Sequence, residues 1–357
     1  MNESVQGGAS RPVTWVLTGY KAGDNAQVLA LADALGWRYD VKRFNYRKTE
    51  LLSNRLLAVT LAGIDKTSSS ALSPPWPDLI ITAGRRNEPV ARWIRKQAGG
   101  RTRLVHVGRP WAPLDVFDLI VTTPQYFLPD RQNVLKNYLP LHGVMSGRLN
   151  EAADAWRQRL AHLPRPCSAV LIGGDSGPFV FTAEKGRRLG QLVNSMSLHD
   201  GGSLLVTDSA RTPGPAFDAF QRELSVPAYI HHWTDAGDDN PYLAYLALAD
   251  QLVVTGESMS MLTEASFTCK PLYIFDPGDT RPWWRHGYNF RYKPLSHRLA
   301  MLLAARRTHR DVGNIQRQLV ASGRAVWLGQ TFPAGQQAAP PDDVQRAAMR
   351  VRALFEN

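Results

Sequence analysis

The sequence predicts an α/β protein built from two Rossmann-like, doubly wound domains, and three observations predict it. Short apolar runs bounded by Gly or Pro alternate with segments of helical periodicity along the chain. The runs are nearly continuous in apolar residues rather than alternating, as expected of parallel strands covered on both faces. A length of 357 residues suits two domains, each with its own core.

In the first half the expected strands are Pro12–Thr18, Leu79–Thr82, Leu104–Val107 and Leu119–Thr122, with helices at Asn25–Gly36 and Glu88–Gln97. In the second half they are Ala169–Ile172, Ser203–Thr207, Ala228–His232, Gln251–Thr255 and Pro271–Phe275, with helices at Ala183–Met196, Ala216–Leu224 and Pro241–Ala249. A helical stretch at Asn150–His162 followed by Leu-Pro-Arg-Pro marks the linker. The domains are therefore expected at 1–148 and 149–335, with a terminal helical segment at 336–357 packing back on the first domain.

Two cysteines, Cys167 and Cys269, without a CxxC pair or Cys/His cluster, point away from structural zinc and a disulfide scaffold, and fit a reducing cytoplasm. No apolar run approaches the roughly 20 residues of a membrane span, and no signal-peptide pattern is seen at the N-terminus. Net charge is +11, and residues 1–150 hold most of the excess, with 20 Lys and Arg against 11 Asp and Glu. That field favours an anionic partner such as a phosphorylated acceptor or a membrane surface. Nucleic acid is not expected, since no recognised binding motif accompanies the charge.

The segment Thr255-Gly256-Glu257-Ser258-Met259-Ser260-Met261-Leu262-Thr263-Glu264 reads as a strand end, a short turn and a helix start. Free N–H groups and the dipole at such a helix start attract phosphate, and a carboxylate one or two turns on, Glu264, accepts hydrogen bonds from a ribose. Gly173-Gly174-Asp175-Ser176-Gly177 ends another strand, where ligands of open α/β sheets lie, and reads as a diphosphate cradle or a plain turn. Asp208-Ser209-Ala210-Arg211-Thr212-Pro213 offers Arg211 as a bidentate phosphate clamp, with Thr212 and Pro213 expected as helix cap and first residue. Asp238 and Asp239 are accounted for as acidic residues before the helix at Tyr242, while Trp233 is placed to stack on a base.

In the first half, Gly19 to Gln27 follows the first strand. Gly23 lets backbone approach a ligand, Asp24 or Asn25 can cap the next helix, and the Asp-Asn-Gln cluster suits an acceptor or catalytic role. Two strand ends then carry Gly followed by Arg, at Gly84-Arg85-Arg86 and Gly108-Arg109, with His106 just before the second as a candidate base. Val41–Ile64 joins Lys42, Arg43, Arg47 and Lys48 to six aliphatic residues, the composition of an interfacial amphipathic segment or of an ordinary core helix.

The motifs Gly-Asp-Asn-Ala-Gln (23–27), Thr-Ala-Gly-Arg-Arg (82–86), Gly-Gly-Asp-Ser-Gly (173–177), Asp-Ser-Ala-Arg-Thr-Pro (208–213), Asn-Pro-Tyr (240–242) and Thr-Gly-Glu-Ser-Met-Ser-Met (255–261), in this order, resemble the family named for mitochondrial fission ELM proteins. Its bacterial members are often labelled nucleoside-diphosphate-sugar epimerase-like. That family is similar in turn to GT-B glycosyltransferases, whose two domains face a cleft, with the donor held by the C-terminal one. The resemblance implies that Glu264 holds the ribose, that Ser258 to Met261 hold the diphosphate, and that Gly173 to Ser176 close the site. It leaves the 19–25 loop only loosely matched to an acceptor loop.

The expectation is an inverting, metal-independent glycosyltransferase, without a cofactor, that moves a sugar from a nucleoside-diphosphate-sugar to an anionic or lipid-linked acceptor. Asp24 or His106 would be its base, with Gly23, Asn25, Gln27, Arg85 and Arg109 on the acceptor side. It would be cytoplasmic or peripheral on the inner face of the membrane. Two alternatives stand beside it: a nucleotide-sugar 2-epimerase of the same fold, and a non-catalytic peripheral-membrane scaffold.

Overall fold

The structure, a computed structural model, describes residues 11–51, 54–176, 179–235, 239–278, 310–311, 313–333 and 342–356. The chain divides into two compact units, Met1–Gly143 with Asp342–Asn357, and Val144–Pro341. The division falls just ahead of the helix Ser146–Leu160, which packs on the helix Tyr242–Leu248 of the second unit.

The first unit is a six-stranded parallel sheet. Its strands are β1 (Thr14–Thr18), β2 (Tyr39–Arg43), β3 (Leu79–Ala83), β4 (Arg103–Val107), β5 (Leu119–Thr122) and β6 (Val134–Lys136), in the order β2-β1-β3-β4-β5-β6. Successive strand residues point to opposite faces, so Val16, Ile81 and Val105 join one core while Trp15, Leu17, Ile80 and Leu104 join the other. The first core is covered by α1 (Ala22–Leu35) and by the C-terminal helix Asp343–Arg352, which supplies Ala347, Ala348 and Val351. Polar contacts hold this helix in place. Buried Asp343 accepts from the backbone N–H of Leu139, and Arg352 donates to the carbonyls of Ala34 and Leu35 at the end of α1.

The second unit repeats the plan with β7 (Cys167–Leu171), β8 (Ser203–Thr207), β9 (Ala228–His231), β10 (Gln251–Thr255), β11 (Leu272–Phe275) and β12 (Val326–Trp327). Their order is β12-β11-β10-β7-β8-β9. In both sheets the winding direction reverses once, between β1 and β3 in the first and between β7 and β10 in the second. Loops leaving the two strands of such a pair diverge, and the crevice between them is where open α/β sheets bind ligands.

Three local expectations are corrected. Val41–Ile64 is not one helix: β2 ends at Arg43, and only a 3-10 turn (Lys48–Leu51) and one turn of helix (Asn54–Leu57) follow. Phe44, Leu57 and Ile64 are buried, so much of its apolar content serves the core. The helix α1 starts at Ala22 after Lys21, which puts Asp24 and Asn25 inside its first turn instead of at its cap. Before the helix Gly214–Gln221 the cap position is Pro213, and Thr212 turns its hydroxyl elsewhere.

Candidate functional site

At the reversal point of the second sheet, three strand ends are laced together. The Gly173 N–H donates to Thr255 Oγ1 at 2.7 Å and the Gly174 N–H to Glu257 Oε1 at 2.6 Å, joining the loop after β7 to the loop after β10. The loop after β8 is tied in by Ser209 and Thr212, whose hydroxyls both donate to the carbonyl of Gly173, and by Arg211, whose guanidinium donates to the Asp175 carbonyl at 3.1 Å. Glycine is required here. A Cβ on Gly173 would stand 2.0 Å from Glu257 Oε1, and one on Gly174, at φ +150°, 2.1 Å from the Arg211 carbonyl oxygen.

Glu257 is 2% exposed, and its Oε2 has no hydrogen-bond partner among the described residues. Burial raises its pKa, against the lowering effects of the Gly174 N–H, Arg211 and the Thr255 hydroxyl. Immediately after it, Ser258 opens α8 (Met259–Phe267) without a side-chain cap. The N–H groups of Met259, Ser260 and Met261 therefore precede the helix's own ladder, and Ser260 is exposed beside them. Gly256 sits behind, its carbonyl taken by Gln316.

Glu264, on the second turn of α8, is partly buried and accepts from the Tyr242 hydroxyl. Burial raises its pKa while Tyr242 and Arg148 lower it. Trp233, 54% exposed, donates its backbone N–H to Asp208 Oδ1, so it stands at the end of β9 next to the β8 loop. The second sheet thus brings Gly173, Gly174, Ser176, Arg211, Gly256 and Ser258 to one end of the strands, with the start of α8. Gly177, Asp238 and Trp283 to His286 lie outside the described residues.

The reversal point of the first sheet carries the other candidates. Asn25 closes a ring on Gly19, donating to its carbonyl at 2.6 Å and accepting from its N–H at 3.0 Å. Asp24 is part-exposed, 3.9 Å from Lys21, and its Oδ2 lies 2.9 Å from where a Cβ on Gly84 would be. Gln27 donates to the Gly23 carbonyl and lines a recess with Gly108, Thr122, Gln125 and Tyr126. Arg85 and Arg109 flank the indole of Trp111 at 5.6 and 5.5 Å, and Arg86 lies 4.6 Å over Tyr20.

His106 does not join them. Its side chain is fully buried in β4, against Phe117 and 3.5 Å from Glu88 Oε1, so it is withdrawn from the role of base to a bound acceptor. Glu88 was not singled out by sequence, and it organises this end of the sheet. Its two carboxylate oxygens accept the N–H groups of Trp111 and Ala112, and Oε2 also accepts from Asn54, which donates in addition to the Arg85 carbonyl. Sequence reasoning also passed over Glu257, Thr255 and the hydroxyl of Tyr242. For Thr255 and Glu257 the available signal was a polar residue beside a glycine at a strand end, which is too common to single them out.

A family model described as "Mitochondrial fission ELM1" matches residues 22–292, and the chain belongs to that family. It is 26% identical to mitochondrial fission protein ELM1 of Arabidopsis thaliana over 242 residues, 61% of this chain and 56% of that protein, so it spans little more than half of that relative's length. It is likewise 26% identical to the uncharacterized protein RP120 of Rickettsia prowazekii over 295 residues, 74% of this chain and 83% of the other. Similar solved structures include MurG of Acinetobacter baumannii (12% identity, 96% of this chain and 100% of that one, TM-score 0.45). Another is the UDP-GlcNAc 2-epimerase of Neisseria meningitidis bound to UDP-GlcNAc (11% identity, 96% and 100%, TM-score 0.47).

Proposed function

For this member of the mitochondrial fission ELM1 family, we propose an inverting, metal-independent glycosyltransferase that takes a sugar from a nucleoside-diphosphate-sugar and passes it to a membrane-associated or envelope acceptor. One observation carries the reading: the start of α8 and the Gly173-Gly174 backbone meet at the reversal point of the second sheet, with Glu264 on the second turn of that helix. Helix N–H groups and Arg211 offset charge on the leaving diphosphate, and Glu264 holds the ribose. The acceptor hydroxyl oxygen bonds to C1 of the sugar, and its proton passes to the Asp24 carboxylate. The C1–O electron pair leaves with the diphosphate. Arg85 and Arg109 attract an anionic acceptor.

A thermal-shift screen against UDP, GDP, CMP, dTDP and their sugars tests the donor site, because a ligand bound to the native state alone raises the unfolding midpoint. A shift that is lost in Glu264→Ala supports the reading; a shift that is unchanged in that variant overturns it. Release of free nucleotide from a nucleotide-sugar without any acceptor would move the reaction to 2-epimerisation.

A second reading, a peripheral scaffold, is favoured by the likeness to an Arabidopsis mitochondrial fission protein and by Lys42, Arg43, Arg47 and Lys48. Two of these already have partners, since Lys42 lies 4.3 Å over the Trp15 ring and Arg47 is 3.5 Å from Asp65. Flotation with anionic liposomes that survives Glu264→Ala but fails on charge reversal at these four positions would favour the scaffold.

A further inference from the structure

The carboxyl end of the first sheet carries exposed apolar side chains that the proposed reaction does not use. Tyr20, in the loop after β1, is 61% exposed, Trp111, after β4, is 46% exposed, and Leu56, on the single turn of helix at Asn54–Leu57, is 71% exposed. Guanidiniums alternate with rings along this edge. Arg86 lies over Tyr20 and, at 5.9 Å, near the Tyr46 ring; Arg85 and Arg109 flank Trp111; and Arg109 also stands 5.6 Å from the Tyr126 ring. The row crosses the ends of β1, β3, β4 and β5, a width of roughly 14 Å at the usual spacing of neighbouring strands.

One buried carboxylate holds three of these segments to each other. Glu88 accepts from the backbone of Trp111 and Ala112 and from the amide of Asn54, two residues before Leu56, and Asn54 donates in addition to the Arg85 carbonyl. The backbone that carries Leu56, Arg85 and Trp111 is therefore fixed from beneath, while Leu56 and Trp111 turn their side chains to solvent. A single exposed apolar residue needs no explanation, but three of them interleaved with arginines on a fixed frame do. An anion arriving from solution is served by the cations alone. Tyrosine, tryptophan and leucine add to binding where an apolar layer lies behind the anionic groups, as it does at a bilayer surface. The charge is complementary to such a surface, since residues 1–150 hold 20 Lys and Arg against 11 Asp and Glu. Asp24, also at this edge, has Lys21 at 3.9 Å.

We propose that this edge of the first unit docks on an anionic lipid bilayer, with Arg85, Arg86 and Arg109 at the headgroup phosphates and Tyr20, Leu56 and Trp111 in the interfacial layer. This deepens the proposed function, because a lipid-linked acceptor would then arrive at the edge that carries Asp24. It rests on that reading only for the use made of the contact, since docking itself needs neither nucleotide nor sugar transfer.

The test is flotation of the full chain, without nucleotide, with vesicles of phosphatidylcholine and phosphatidylglycerol in equal parts. Association is expected with these vesicles and not with phosphatidylcholine alone. Replacing Tyr20, Leu56 and Trp111 together by Ala leaves every cation in place and should weaken association about tenfold or more. Quenching of tryptophan fluorescence by brominated lipid gives a second readout, and the single variant Trp111→Phe should lose at least about half of it, Trp111 being the exposed indole of this edge. Unchanged association of the folded triple variant overturns the inference, as does equal quenching in Trp111→Phe, which decides the matter if the triple variant does not fold. Displacement from the vesicles by glycerol phosphate at constant ionic strength also overturns it, because the edge would then be a site for a soluble anion. Flotation that persists in Glu264→Ala leaves the docking surface standing even if nucleotide binding shows the donor-site reading to be wrong. Nucleotide binding that depends on Glu264 in a protein that does not float sinks the docking surface alone.

Discussion

Each sheet has a buried glutamate at its reversal end, and the two are used differently. Glu88 is bonded at both oxygens: Oε1 accepts from the Trp111 backbone, and Oε2 from the Ala112 backbone and the Asn54 amide. Glu257 is half used: Oε1 accepts from Gly174 and Thr255, while Oε2 has no partner among the described residues. A buried carboxylate with both oxygens bonded is a structural clamp, whereas an oxygen left without a partner costs stability. The clamp in the first unit presents guanidiniums and an exposed indole, 46% accessible at Trp111. The second unit presents backbone N–H groups at a helix start. Side-chain cations suit an anion that arrives from solution or a surface, and fixed N–H groups suit one held in a defined pose.

The contrast breaks most directly at Gly174. Gly174→Ala would push a Cβ into the Arg211 carbonyl at an unfavourable φ and should destabilise the second unit by about 3 to 4 kcal/mol, read by denaturant unfolding. A loss below about 1 kcal/mol would mean that the loops are not locked together as described.

Glu88→Ala comes next. It leaves the Trp111 and Ala112 N–H groups without their acceptor and should cost about 2 to 3 kcal/mol, with Trp111 fluorescence moving as its loop is released. An unaltered spectrum together with a small loss would deny Glu88 its clamping role.

Glu257 sharpens the comparison through pH. Its folded pKa is raised by burial, so its contribution to stability is complete below the ordinary carboxylate range and is lost as pH rises through the raised value. Glu257→Gln stays neutral, so its stability relative to the unaltered protein should improve with rising pH. Glu264 and Asp343, also raised, are present in both proteins and cancel in the difference. Parallel stability curves would show that Glu257 does not titrate in this way.

The smallest effect belongs to Gly23, inside α1 with nothing within 4 Å of an added Cβ. Gly23→Ala should stabilise by about 0.5 to 1 kcal/mol, the propensity gain of a helix interior. Destabilisation there would show a close contact that the fold does not account for.

Strand and helix identity were legible because parallel strands need unbroken apolar runs and helices need their own periodicity; β1, β3, β7, β8 and β10 all lie within or overlap the runs marked in advance. The glycine loops were legible too, because a close backbone approach excludes every other residue. His106 was not. Its sequence context, a histidine one residue before the end of a strand, is the same whether the ring faces a ligand or a core, and only Phe117 and Glu88, brought from β5's approach and the helix Glu88–Gln97, decide that it faces the core. Val41–Ile64 misled for a related reason: Leu57 and Ile64 are taken by the core while Leu56 stays exposed, and they sit on a turn of helix and a loop rather than along one periodic face.

By itself, then, the sequence determined that this is an α/β chain of two parallel-sheet units with glycine-bearing strand ends, because those features depend on neighbours within a few residues. The tertiary structure decided what the carboxylates do. Glu88, Glu257 and Glu264 take their roles from partners 22 to 83 positions away, Asn54 and Ala112 for the first, Gly174 for the second and Tyr242 for the third. A buried charge is governed by whichever donors the fold delivers to it, and local sequence carries no record of that delivery.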